Sequence, residues 1–446
     1  ITTHEKQSNS LAIASSLEAN TVNINAKDIH IKGSRVIGDT ETTLTAGQSV
    51  TIEAATNTIN SSRSRNETSS GFMAGEGIRI GFGNQIQSLE SNSASSTAAA
   101  STLASAKGNV TIQAGDQYKQ VGSDVLTPIG NIDISAKKVD VVEAREISHQ
   151  TTEQILVRSG LDLGISSVVS STLQNANKQI KAASQTSDDR MKLLAASNAT
   201  ANLKMAADTL ESNEIQVVLG FGQSNGQSYT ASQTDTARNS TLQAGGHIHI
   251  QASGGGDSSN LTVQGSDVSG REVKLVADNA VNLNAAQNVN MQNSHNENTS
   301  SSMGVAALIS SKGESLGVNA SVSRGNGNSY GLDITNSNTH IVGAESVTIV
   351  SGGDTTLKGA TVEGKQVNLN AKGNLNIVSL QDTSTYIEKN QQIGVSALLG
   401  SNLSGSVNVA KVDIQNNFSN VTEQSAIKAG DGGFTVTVQG DTNLLG

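Results

Sequence analysis

Apolar and polar residues alternate in short bursts along most of the chain. The bursts begin with VNINA from Val22, IHIKG from Ile29, VTIEA from Val50, VTIQA from Val110 and IDISA from Ile132. They continue with IHIQA from Ile248, LTVQG from Leu261, VNLNA from Val281, VTIVS from Val347 and VNLNA from Val367. A period of two marks a strand with one face buried and one solvated. Gly, Asn, Asp and Ser separate the bursts, as tight turns between strands require. The pattern predicts many short strands.

A longer repeat lies over the alternation. KGSRVIG from Lys32 is echoed by VGSDVL from Val121, QGSDVSG from Gln264 and KGATVEG from Lys358. LTAGQSVTIEA from Leu44 is restated as LQAGGHIHIQA from Leu242. Recurrence of this kind is the sequence sign of stacked units. One turn of a stack buries too few aliphatic side chains to offset the entropy of ordering it. Each turn must therefore pair with the turns above and below. The expected architecture is all-β, a parallel β-helix, with repeat blocks at about 10–85, 101–164, 240–335 and 340–446 in one elongated unit spanning 1–446. With strands about 4.8 Å apart, a chain that coils throughout would make a rod on the order of 60–90 Å long.

Other segments follow a different rhythm. SSRSRNETSS from Ser61 leads into GIRIGFG from Gly77, and NEIQVVLGFG from Asn213 ends in the same GFG, at Phe82 and Phe221. MGVAALIS from Met303 and IGVSALLG from Ile393 are later copies. These read as hairpin strands that leave the rod or pack along its side, with extra rungs as the other reading. Two segments interrupt the β pattern. Residues 86–107 are rich in Ser and Ala, with few β-branched residues. Residues 170–212 space Leu173, Ile180, Met191, Leu194, Ala201 and Met205 at helical intervals, with Asp188 and Asp189 ahead of Arg190 and Lys192. This predicts one helical insertion over 170–212.

Composition sharpens the picture. Aromatic residues make up 2% of the chain and Trp is absent, so thin layers of Val, Ile, Leu and Ala must fill the core. Pro128 is the one proline, which suits a long run of strands. The formal net charge is −10 with no long basic run, which makes nucleic acid and anionic lipid poor partners. No stretch has the length and apolarity of a transmembrane helix. The chain opens on Ile1 with no visible signal peptide and reads as an internal piece of a longer protein. With no cysteine, disulfides and thiolate metal sites are ruled out. A chain that must cross an oxidising compartment unfolded would avoid cysteine, although chance or a reducing compartment gives the same composition.

Candidate chemistry is sparse. P-loop, zinc-peptidase and nucleophile-elbow motifs are missing. His247 and His249 share a strand face opposite Ile248 and Ile250, but no third ligand stands near them in sequence. A solvated face is the expected role for both, and for His30. Asp257, Asp354 and Asp431 sit in Gly-rich segments without the tandem rhythm of calcium-binding rolls, and read as turn residues. The Asn-x-Ser/Thr sequences at Asn66, Asn109 and Asn260 are expected in so Asn- and Thr-rich a chain. Asp133, Asp140 and Glu143 are scattered outward acids, not a catalytic cluster. Catalytic, cofactor-binding and metal-binding residues are therefore all assigned as none.

The block SGGDTTLKGATVEGKQVNLNAKGNLNIVSLQDTS from Ser351 resembles the haemagglutinin repeat of large two-partner secretion exoproteins. That family includes filamentous haemagglutinin and the contact-dependent growth inhibition effectors (CdiA family). VTEQSAIKAGDGGFTVTVQGDTNLLG from Val421 is similar to the end of the second haemagglutinin-repeat region in the CdiA-like members. The resemblance implies a right-handed β-helix, export through an outer-membrane β-barrel secretion partner, and folding outside the cell. For the second repeat region it implies a part in carrying a carboxy-terminal toxin across the target cell's outer membrane. The leading expectation is thus a non-catalytic, secreted or cell-surface delivery module that meets a target outer membrane or surface receptor, with self-association along the rod as a further expectation. The alternatives are an adhesin stalk and, last, a carbohydrate-active β-helix enzyme.

Overall fold

The computed structural model describes residues 1–74, 78–167, 215–310, 313–400 and 404–446. The alternating bursts form the rungs of a parallel β-helix. One coil shows the plan. Asp267–Ala277 runs along a first face, kinks between Gly270 and Glu272, and continues along a second face. Val281–Asn284 then forms the third. The third face is a nine-stranded parallel sheet. The first and second faces are joined in one sheet by strands that bend at the shared corner. Ile29 pairs with Val50 and Leu261 with Val281, so a coil takes 20 or 21 residues.

The inward positions stack by type. Leu44, Ile112, Ile134, Ile250, Leu275, Ile349 and Leu369 form one unbroken ladder up the second face, each residue paired with the next. All seven are 0–2% exposed. Uniform layers of this kind need no large side chains, which explains the low aromatic content. Tyr118 is the aromatic exception in the core. Its hydroxyl donates to Gln120 Oε1 at 2.8 Å, and Gln120 Nε2 donates to the carbonyls of Ser123 and Thr241. Burial drives the Tyr118 pKa far upward, so it stays a neutral donor.

The recurring Gly-Ser phrase builds one corner. Gly33, Gly122, Gly265 and Gly359 all have φ between 49° and 65°, the left-handed region glycine tolerates best. A second constraint acts at the same place. A Cβ on Gly33, Gly122 or Gly265 would lie 2.2–2.4 Å from the Cβ of Ala55, Ala144 or Ala286. Those alanines begin the strands that leave the rod. The serines that follow Gly33, Gly122 and Gly265 belong to a hydroxyl ladder, which Ser101 and Ser240 complete. Ser34, Ser101, Ser123 and Ser240 each donate a backbone N–H to the buried hydroxyl one coil on, at 3.2–3.3 Å. The repeat therefore encodes a corner at which one coil turns and the next departs.

The departing strands form a second structure, a nine-stranded sheet. In order across it they are Thr2–Ser10, Ala55–Ala74, Ile78–Ala99, Ala144–Ser167, Ile215–Arg238, Ala286–Ser310, Gly313–Ser337, Asp382–Gly400 and Ser404–Asn420. Every pairing in it is antiparallel. The excursions leave after a third-face strand and return to the first face, one for every two coils. The Gly-spaced apolar segments are thus protruding hairpins, not extra rungs.

Two expectations are corrected. Residues 86–107 do not interrupt the β pattern; 86–99 are the returning half of Ile78–Ala99, and Thr102–Ser105 is a rung of the rod. Ser and Ala suffice in 86–99 because ladder pairing on both sides, not side-chain burial, holds the strand. The rod is also shorter than a chain that coils throughout would make, because so many residues lie in the lateral sheet. Its nine third-face strands give roughly 40 Å. The helix expected over 170–212 lies outside the described residues. Among the described residues the helical structure is a single 3-10 turn, Gly256–Ser258.

The chain's return from the last lateral strand is pinned by a histidine. His340 Nδ1 lies 2.8 Å from Asp267 Oδ1, one coil away, and its Nε2 lies 3.1 Å from Glu423 Oε1. The Asp267 contact, with Glu423 assisting, raises the His340 pKa above 6.5; the same contact lowers that of Asp267 below 3.8. A raised histidine pKa stabilises fully below 6.5 and loses that contribution as pH rises through the folded value; a lowered carboxylate pKa stabilises above 3.8 and loses it as pH falls through the folded value. The latch is therefore strongest between those two values. Because the pair is half-exposed, its worth is roughly 0.5 kcal/mol. Amide exchange at residues 421–425, corrected for intrinsic rates, is expected to be slower at about pH 5.5 than at about pH 8.5. In His340→Gln the pH difference should vanish.

Candidate membrane-facing sheet

The outer halves of the lateral strands separate apolar from small polar residues by face. Directly paired residues in adjacent strands point to the same side of a sheet. One row joins Phe82, Leu161, Phe221 and Met303, which are 54–66% exposed. The next row outward joins Leu219, Val305, Val318 and Leu399, at 47–58%. Beyond it stand Val217, Ala307 and Leu316. On the last three strands the band begins one row nearer the rod, at Val322, Val395 and Val407. Four rows span about 20 Å, plus the width of the side chains.

The reverse face is different. Gly160, Gly222, Ser302, Ser321, Ser396 and Ser406 form one row across it. Its hydroxyls pair across strands, Ser302 with Ser321 and Ser396 with Ser406, both at 2.7 Å. Charge gathers below the apolar band: Arg324 meets Glu297 at 2.7 Å, and Arg158 Nε donates to Gln85 at 2.9 Å. An apolar face, a small polar face and a charged border reproduce the dyad pattern of strands that cross outer membranes, whose apolar band is about 25 Å tall.

The residues singled out in the sequence stand elsewhere, on the rod. His247 and His249 point outward on the second face. Asp133, one coil below, lies 3.3 Å from His247 Nε2 and 4.0 Å from His249 Nδ1. The neighbour lacking in the sequence is thus supplied by the stack. Burial and nearby Lys274 lower the His249 pKa and favour a neutral ring, and its Nε2 has no partner. Among the described residues no cluster of three or more His, Asp or Glu is arranged to hold a metal. His30 lies 3.1 Å from Glu53, which also meets Lys32 at 2.9 Å. Asp140 meets Lys138 at 3.0 Å. Glu143 is not an outward acid: its side chain is 9% exposed, desolvation raises its pKa, and it faces Arg145 at 3.6 Å. Asp354 Oδ1 accepts from Asn374 N at 2.6 Å, and Asn109 Oδ1 from Asn131 N at 2.9 Å, both closing turns between coils. Asn260 Oδ1 accepts from Asn279 Nδ2 at 2.9 Å. Asp257 lies in the 3-10 turn and Asp431 in an exposed stretch of Ala426–Val438. Asn66 pairs with Thr2 at the edge of the lateral sheet.

A coiled rod carrying a lateral sheet defines a class of elongated repeat protein. Comparison with known proteins gives the family: the Hemagglutinin repeat model matches residues 2–90 and 219–394, more than half of the chain. The chain belongs to that family, as a repeat region of the filamentous haemagglutinin and CdiA type. It is 33% identical over 466 aligned residues to the "tRNA nuclease CdiA" of Escherichia coli strain NC101, covering 100% of this chain and 14% of that protein. It is 31% identical to the "16S rRNA endonuclease CdiA" of Enterobacter cloacae, covering 99% and 14%. It is 29% identical to the "Deoxyribonuclease CdiA" of Dickeya dadantii, covering 96% and 13%. The chain thus spans about one seventh of the length of these relatives. No solved structure gives a significant match.

Proposed function

We propose that this region is non-catalytic and acts in contact-dependent toxin delivery, with its lateral sheet engaging the target cell's outer membrane while a C-terminal toxin of the full-length protein crosses. The exposed apolar band carries the reading. A face of this size left in water would be a strong aggregation liability unless it had a partner. Lipid suits it because the band is continuous across strands, close to the height of a membrane-strand band and bordered by charge. The relatives support a role apart from catalysis. Three that are named for tRNA, 16S rRNA and DNA cleavage align with nearly the whole of this chain. A segment common to all three is not what distinguishes their nucleases. On this reading the full protein is secreted through an outer-membrane β-barrel partner and stands at the cell surface, and the cysteine-free sequence suits an unfolded passage through the periplasm.

Exchanging this region, within the full-length protein, for an unrelated β-helix of equal length is expected to abolish growth inhibition of target cells. Secretion and target-cell binding should persist. Delivery that survives the exchange would overturn the reading and make the region a spacer.

A further inference from the structure

The small-residue face of the lateral sheet carries a groove of about 470 Å³ on the rod side of the apolar band. Its walls are carboxamides: Gln154 on one strand, Asn296 and Asn298 two strands on, and Asn390 and Gln392 two strands further. Glycines and a serine lie between them, Gly226 and Ser228 on one intervening strand, Gly325 and Gly327 on the other. The carboxamides therefore recur at every second strand, about 9.6 Å apart.

The glycines form a floor. A Cβ on Gly325 would lie 2.2 Å from Asn298 Oδ1, and one on Gly327 would lie 2.3 Å from Asn296 Oδ1, so both carboxamides rest over bare backbone. Above Gly226 the space is open. Leu156 and Val412 close the two ends with apolar surface. Asn390 is oriented by Glu388, whose other oxygen accepts the Tyr386 hydroxyl at 2.8 Å. The Tyr386 ring lies on the same face, beside Gly331, at the groove's shoulder. All the strands beneath except Ser404–Asn420, which ends the sheet at the Val412 end, have their backbones paired on both sides, so most of the groove offers no edge for an added peptide strand.

We propose that this groove binds a neutral oligosaccharide lying across the strands. Each carboxamide offers a donor and an acceptor side by side, which matches the adjacent hydroxyls of a pyranose. Their spacing is close to one disaccharide step. The apolar C–H face of a sugar ring packs on glycine Cα atoms and Leu156, and Tyr386 adds an aromatic shoulder. Glu388, beside Asn390 on the same face, disfavours an anionic glycan.

Isothermal titration of the 446-residue chain with maltohexaose and with chitohexaose tests the site. A heparin hexasaccharide and an alternating Gly-Ser decapeptide serve as comparisons. At least one neutral hexasaccharide should bind, and more tightly than either comparison. Gly226→Leu, which fills open space without a clash, should weaken binding at least tenfold with no change in thermal melting. Asn298→Ala with Gln392→Ala should do the same without filling the groove. If neither neutral sugar binds at millimolar concentration, if binding survives both variants, or if the peptide binds more tightly, the proposal is overturned. The readout involves no membrane, so its failure is separate from failure of the delivery reading.

Discussion

Lysine at both Leu219 and Val318 is expected to abolish co-flotation of the chain with vesicles of outer-membrane lipid. The two lie in one row of the apolar band, separated by Val305, and are 55% and 47% exposed. In the folded rod they support no core, so the substitutions should leave melting unchanged. In lipid each would place a charge near the middle of an apolar band, where lysine costs about 2–4 kcal/mol. That is roughly a 30- to 1000-fold loss per residue, and the two act on the same surface. Lysine at Ser321, on the reverse face, is the control and should have little effect. Equal flotation of the double variant and the parent chain would refute membrane engagement by this face.

Ile250→Ala is expected to lower the stability of the rod by about 2–5 kcal/mol, the usual range for emptying a fully buried aliphatic site. Ile250 is 0% exposed and sits in the ladder between Ile134 and Leu275. A stack of coils is held by contacts between nearest neighbours, so a weak layer divides it. Urea unfolding followed by circular dichroism should show a lower midpoint and a broader transition. Hydrogen exchange should accelerate first in the coils either side of residue 250. An unchanged midpoint would mean that stability resides in the lateral sheet instead.

The rungs could be read directly because their signal is local. Val281 and Leu283 alternate with Asn282 and Asn284, and all four behave in the fold as the pattern requires. The Gly-Ser phrase was visible as a repeat, but its task was not. The pressure on Gly33 comes from Ala55, a neighbour in space that becomes apparent only once coils are stacked. Residues 86–99 were misread because a strand solvated on both faces has no reason to alternate. The apolar band was half visible, since GFG and its copies flagged single strands. Joining Leu219 to Val305, Val318 and Leu399 needs the register of four strands far apart in sequence. The carboxamide groove left no mark, because in so Asn-rich a chain a binding asparagine and a turn asparagine look alike. Asp133 beside His247 was hidden for the reason that hid Ala55.

The alternation of two coils with one hairpin ties two lattices together. Two coils advance the rod by two strand spacings, and one hairpin advances the lateral sheet by two. Rod and sheet therefore grow in step and meet at a single seam without accumulating offset. The unit of growth is the whole repeat. Gain or loss of a complete unit preserves the match, whereas loss of one coil would throw every later hairpin out of phase with the sheet it must join. Length variants of such a protein should thus come in quanta of one repeat, like teeth on a zip fastener.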